Sequence, residues 1–216
     1  MPGAGPPGPA AEEKTLHASE REREDVVAAR AAWRAEVCAG VAPDRLVFLD
    51  ESGVDTAMTP THARAPRGRR ALGRVPGGHW KRLTILGALC ADGIACAMTV
   101  AAATTTRVFL AFVERVLLPA LRRRPGCVVV MDNLAPHKAA CVRAAFEAAG
   151  VEYRYLPAYS PDLNPIEPAW AKLKAALRRA EARSLDRLGA ELPQALGQIT
   201  PSDAQGWFRH AGYRSN

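Results

Sequence analysis

Two short runs of unbroken apolar residues, each closed by an aspartate, constrain this chain more than any other feature. Leu46-Val47-Phe48-Leu49 runs into Asp50-Glu51, and residues 127–131 run into Asp132. A strand with one wet face alternates apolar and polar residues, whereas a strand without alternation is covered on both faces. Helices must then lie on both sides of the sheet, which makes the chain α/β. Residues 83–90 and 94–101 flank Ala91-Asp92-Gly93, a hairpin signal, and residues 151–156 read as a further strand. Thr104-Thr105-Thr106 caps a helix expected over 107–123 with an interruption at Pro119. A second helix follows Pro136 and stops at Gly150. A third carries Ile166, Trp170, Leu173 and Leu177 at helical spacing. The order strand, hairpin, helix, strand, helix, strand, helix gives a mixed central sheet with flanking helices.

The chain has 216 residues, 48% of them hydrophobic, which is enough for one packed core and excludes global disorder. Residues 1–43 hold a Pro/Gly/Ala-rich start, expected to be disordered over 1–15, and one helix from Ser19 to about Val37 that reads as a linker remnant. Residues 44–180 form the main domain, and 181–216 a helical extension. Net charge is +7, and it is local. Arg64, Arg67, Arg69, Arg70, Arg74, Lys81 and Arg82 lie in a stretch without an acid, so a polyanion-docking surface is expected there. Trp80 within it either stacks on a base or packs under the sheet. The five cysteines are scattered and odd in number, with no metal-ligand spacing, and read as buried free thiols of a reducing compartment. Neither a bilayer-spanning run nor a signal-peptide pattern is present, so a cytoplasmic protein with no membrane partner is expected.

Asp50 and Asp132 each close a buried strand, where α/β sheets present ligands at their rim, and Glu167 opens a helix after a rigid loop. Two strand-end aspartates and a helical glutamate suit a divalent cation, since Mg²⁺ takes carboxylate oxygens and leaves room for water and phosphate. Each acid in isolation reads better as a strand-end cap or a surface charge, and spacing does not establish that the three converge.

The blocks around these acids are Phe48-Leu49-Asp50-Glu51-Ser52-Gly53, the run from Val130 to Lys138, and Tyr155-Leu156-Pro157-Ala158-Tyr159-Ser160-Pro161-Asp162-Leu163-Asn164-Pro165-Ile166-Glu167. Together they resemble the three motifs of DDE transposases, in the bacterial insertion-sequence branch of the mariner superfamily. Thirty-four residues separate Asp132 from Glu167, as in that branch. The resemblance covers roughly residues 44–216. It implies a ribonuclease H-like fold in which Asp50, Asp132 and Glu167 hold Mg²⁺ or Mn²⁺, two ions in all. It also implies double-stranded DNA as substrate, at transposon ends and target, with the freed 3′-hydroxyl attacking the target. A homodimer on DNA is expected. Relatives carry an N-terminal helix-turn-helix that reads the ends. Only a low-complexity start and one helix precede the core here, so an upstream helix-turn-helix chain is an expected partner.

Around the triad, Glu51 points to the opposite strand face from Asp50 and takes a supporting role. Asn133, His137 and Asp162 are expected to surround the ligands, with Asp162 fixing its loop, while turn-forming and capping roles fit Asn133 and His137 as well. Lys174 shares a helix face with Glu167 and suits a DNA phosphate, and Arg178 suits a solvated face. Arg64, Arg67, Arg69, Arg70, Lys81 and Arg82 are the other expected DNA contacts. Trp170 reads as core. The rival readings are a non-catalytic regulatory fragment of a transposase and a nuclease acting on RNA–DNA hybrids.

Overall fold

The computed structural model describes residues 18–214, so the expected disorder over 1–15 lies outside the described residues. Five strands form one sheet in the order β3-β2-β1-β4-β5: β1 (Leu46–Asp55), β2 (Arg82–Cys90), β3 (Gly93–Val100), β4 (Val128–Met131) and β5 (Glu152–Tyr155). β1–β2 and β2–β3 are antiparallel, and β1–β4 and β4–β5 are parallel. The sheet is mixed, as the element order requires.

Alternation along β1 sorts the two faces. Phe48 and Val54 enter one core with Val128 and Val130, while Val47 and Leu49 enter another with Val129 and Met131. The first core is covered by α5 (Ile166–Ala180), α6 (Leu185–Gly197), α7 (Pro201–His210) and α1 (Glu24–Trp33). The second is covered by α2 (Thr106–Phe112), α3 (Leu118–Leu121) and α4 (Ala140–Ala148). Every buried strand is thus covered twice, which explains runs without alternation.

Four details depart from the sequence reading. β1 does not end at Asp50 but continues to Asp55, because β2 keeps pairing with it after β4 has stopped. The helix expected at 107–123 starts at its Thr105 cap, whose hydroxyl accepts from the Val108 amide at 3.3 Å. It then widens into a π-helical turn (Val113–Leu117) before α3, so the chain is reset ahead of Pro119 rather than interrupted by it. After Pro136 the chain makes turns, and α4 begins only at Ala140. Of the cysteines, Cys38, Cys90 and Cys127 are buried and free, but Cys96 is half-buried and Cys141 exposed.

The terminal elements share the central core. Trp33, Val37 and Cys38 from the α1 region and Phe208 and Tyr213 from the C-terminal region pack with Phe48. Phe208 meets Phe48 edge-on at 5.2 Å. No helix among the described residues is long and apolar enough to cross a membrane.

Candidate active site

Register brings the first two acids together. β1 and β4 run parallel with Phe48 opposite Val130, so two residues further along stand Asp50, within β1, and Asp132, just past the end of β4. Strand periodicity of two puts both on the face of Phe48 and Val130, the face that α5 covers. Glu167 is the second residue of α5, in a first turn where the helix dipole favours an acid. The three carboxylates, with Asn133 and Asn164, line a single cleft of about 380 Å³ walled by Leu134 and residues 156–161. A larger groove of about 700 Å³ opens at the other end of β4 and β5, and the one acid lining it is Glu114.

Each aspartate is held by a ring nitrogen. Trp170, one turn along α5 from Glu167, donates its Nε1–H to Asp50 Oδ2 at 3.2 Å. Its indole packs so closely on Gly87 that a Cβ there would stand 2.6 Å from Cη2. Asp132 Oδ1 accepts from the Leu134 amide at 3.0 Å and meets His137 Nδ1 at 2.6 Å. His137 is fully buried, stacks on Phe109 at 4.1 Å, and turns its Nε2 toward Glu51 Oε2 at 3.5 Å. Glu51 therefore supports Asp132 from the opposite face of the sheet. Asn133 donates to the Leu156 carbonyl, tying the second acid's loop to the third's.

Burial pushes the Asp50 carboxyl up to about 7, and the charges of Glu167 and Asp132 add to that. Burial also raises Glu167, with Lys174 opposing and Asp132 adding. Burial acts upward on Asp132 too, but the bonds from His137 and the Leu134 amide outweigh it and leave Asp132 below the usual range. For His137, burial disfavours the charged ring, yet Asp132 and Glu51 outweigh it and raise the ring to about 9. The His137 ring thus stands between the carboxylates of Asp132 and Glu51.

The donor set fits a hard cation. All of it is oxygen, which suits Mg²⁺ or Mn²⁺ over zinc. Glu167 and Asp132 add to the cost of ionising Asp50, and Asp132 to that of Glu167, which a cation would relieve. Asn164 Oδ1, in the same cleft, is buried without a hydrogen-bond partner among the described residues. As placed, no three His, Cys, Asp or Glu side chains among the described residues form a ready-made cage, so the acids line the cleft without closing on one point.

The remaining expected residues sit elsewhere. Asp162 is not among the residues lining the cleft and pairs with Arg30 and Arg21, at 2.7 and 3.0 Å. Lys174 and Arg178 line an adjoining cavity with Gly53, Met58 and Val75. Arg64, Arg67, Arg69, Arg70, Lys81 and Arg82 are all exposed, the first five on a long segment without helix or strand between β1 and β2. Trp80 is 58% exposed, which removes the alternative that it packs under the sheet. Sequence reasoning missed Trp170 as a partner of Asp50, although its i+3 spacing from Glu167 put both on one helix face. It missed Arg30, which stands on the buried stripe of Val26, Trp33 and Val37 at helical spacing. It also missed Asn164.

A family model for DDE superfamily endonucleases matches residues 45–189, a stretch that begins at β1 and takes in all three acids. The chain belongs to the DDE superfamily of endonucleases. Its fold is that of the Mos1 transposase catalytic region, which is ribonuclease H-like. The Mos1 paired-end complex with the left transposon end superposes with a TM-score of 0.75 at 19% identity, covering 95% of this chain and 64% of that one. The Mos1 paired-end complex with Mn gives 0.74 at 18% identity, with the same coverage. The Mos1 catalytic domain with raltegravir and Mg gives 0.65 at 17% identity, covering 91% and 92%. This DDE chain thus spans about 64% of the length of the Mos1 chains in those complexes. No curated protein matches the chain in sequence.

Proposed function

We propose that this DDE endonuclease is a transposase catalytic domain that cuts DNA strands at the ends of a mobile element and transfers them to a target. The observation that carries the reading is the convergence of Asp50, Asp132 and Glu167 on one cleft, two through the β1–β4 register and one through α5. Those three carboxylates are the groups that would hold Mg²⁺ or Mn²⁺, and Mos1 structures with Mn and with Mg support the choice. When bound, a pair of such ions supplies activation of the attacking oxygen and charge relief at the leaving oxygen of a phosphodiester.

The chain's own residues prepare that cleft. Trp170 holds Asp50 against the sheet, and His137 stands between Asp132 and Glu51. Lys174 offers a cation two turns along α5 from Glu167, placed for a phosphate of the bound strand. The Arg-rich segment between β1 and β2 extends the basic surface along the duplex. The nucleophiles are water and then the freed 3′-hydroxyl, so no side chain bonds covalently to DNA. A homodimer on DNA and an end-reading helix-turn-helix chain complete the proposed assembly.

The test is nicking of DNA that carries the element's own ends, with Mn²⁺ and with any helix-turn-helix partner encoded beside the gene added. Wild type is expected to nick it. Asp132→Ala should abolish nicking and leave DNA affinity within about twofold, since phosphate contacts supply the affinity. Binding without nicking by wild type would instead establish the non-catalytic regulatory fragment.

A further inference from the structure

The loop that delivers Glu167 is held from behind by residues outside the 45–189 stretch that defines the family. Arg30, on α1, is 4% exposed. Its Nη1 donates to Ser160 Oγ at 2.6 Å and to Asp162 Oδ1 at 3.0 Å, and its Nη2 donates to Asp162 Oδ2 at 2.7 Å. Arg21 adds a second bond to the same carboxylate at 3.0 Å. One turn further along α1, Trp33 Nε1 donates to the Tyr213 hydroxyl at 2.9 Å, which donates to the Leu163 carbonyl at 2.7 Å. The segment 160–164 is thus gripped at Ser160, Asp162 and Leu163 by both ends of the described chain.

Apart from those bonds, what secures the segment is burial, with Leu163 in the central core and Ser160 and Asn164 buried beside it. Tyr159, just before it, has φ of 53°, a left-handed backbone that a tyrosine adopts at a cost. Its own hydrogen bonds are short-range: the Leu163 amide to Ser160, the Asn164 amide to Pro161 and the Glu167 amide to Asn164. α5 begins at Ile166 with no side-chain cap. Such a loop keeps one geometry only when its surroundings impose it, and a buried fork-shaped guanidinium with three short bonds does so.

We infer that Arg30 is a positioning residue of the catalytic centre: by clamping Ser160 and Asp162, α1 sets where Glu167 and Asn164 stand relative to Asp50 and Asp132. This rests on the proposed function for its catalytic consequence, but not for the clamp itself. The N-terminal helix is on this account a working part of the active site. Any change in how α1 is docked would be transmitted along the short segment from Ser160 to the third carboxylate.

Hydrogen exchange on the full chain tests the clamp without metal or DNA. In Arg30→Met, the amides of Leu163, Asn164 and Glu167 should exchange roughly tenfold faster or more, because the charged bidentate bond is removed. Amides in β2 should keep their wild-type rates, which separates local loosening from global destabilisation. Arg30→Lys should restore part of the protection, as a point charge replaces the fork. Unchanged protection of those three amides in Arg30→Met would overturn the inference. So would equal acceleration in β2, which would make Arg30 a general stability residue.

Nicking kinetics test the consequence. Arg30→Met should lower kcat on the order of 10- to 100-fold through misplacement of Glu167, with KM for DNA changed less than about threefold. Faster exchange with unaltered kcat would overturn the positioning role. A wild type that never nicks, with the exchange result as expected, would remove the proposed function and the catalytic role but not the clamp.

Discussion

Gly87 lies beneath the indole of Trp170, and that close approach is what keeps Asp50 pinned. An alanine Cβ at 87 would stand 2.6 Å from Trp170 Cη2, so Gly87→Ala is expected to cost about 1–3 kcal/mol by overpacking. Trp170→Phe removes the struck atom along with the bond to Asp50. In a double-mutant cycle by urea unfolding, Gly87→Ala should therefore cost clearly less in the Trp170→Phe background. Equal costs would mean that the two residues do not oppose each other. Asp162 makes a second residue-level prediction. Burial acts to raise its carboxyl, but the bonds and charge of Arg30 and the charge of Arg21 outweigh it, so the folded value lies below the unfolded one. Stability from this group is complete above the unfolded value, about 3.9, and is lost as pH falls through the lower folded value. The gap in urea midpoint between wild type and Asp162→Asn should be widest above about pH 4 and shrink below it. A gap that stays constant to pH 3 would show that the charge of Asp162 contributes nothing. Neither partner was legible in sequence: Gly87 reads as a weak strand residue, and Arg30 is separated from Asp162 by 132 positions.

At the scale of elements, α7 shows how local chemistry serves the core. Thr200 and Asp203 close a reciprocal capping box, with Asp203 N–H to Thr200 Oγ1 at 3.2 Å and Thr200 N–H to Asp203 Oδ2 at 2.8 Å. Lys172 on α5 also donates to Asp203 Oδ2, at 2.5 Å. Thr200→Ala should lower stability by about 1 kcal/mol in urea unfolding, and Thr200→Ser should restore most of it. No loss in Thr200→Ala would mean that α7 is held without its cap, by Lys172 on Asp203 and by its core residues Ala204 and Phe208. Elements of this kind are readable because their signals are local. The hairpin at 91–93, the Thr105 cap and the α5 stripe all came from neighbours in sequence. The extent of β1 did not, because Ser52-Gly53 reads as a break while pairing with Ile85 and Thr84 on β2 carries the strand on to Asp55. Tertiary pairing overrode propensity there. The delayed start of α4 has the same character: His137 is drawn into the core between Asp132 and Glu51, and the turns that allow it displace the first helical turn.

For the whole molecule, charge and the acid triad must act together. The exposed Arg-rich segment between β1 and β2 and the cleft belong to one polyanion-binding surface on this account. Replacing Arg67, Arg69 and Arg70 with Ala should flatten the dependence of log affinity on log salt by up to about 0.9 for each phosphate no longer neutralised. An unchanged slope would make the segment a solvated loop. The triad itself was visible as three acids at strand and helix ends. Their convergence was not, because it depends on a parallel register between residues 82 positions apart. Most of the cleft's supports come from still further away, in Trp170 and the two ends of the described chain. The central claim is that Asp50, Asp132 and Glu167 form a single divalent-cation centre, and the thermal shift on adding Mn²⁺ tests it most directly. Wild type should melt higher with Mn²⁺ than without. Asp50→Asn, Asp132→Asn and Glu167→Gln should each lose most of the shift, and a double variant should lose little more, because ligands of one centre act as a unit. Single losses that simply add, or a full shift in any one of the three variants, would contradict the account.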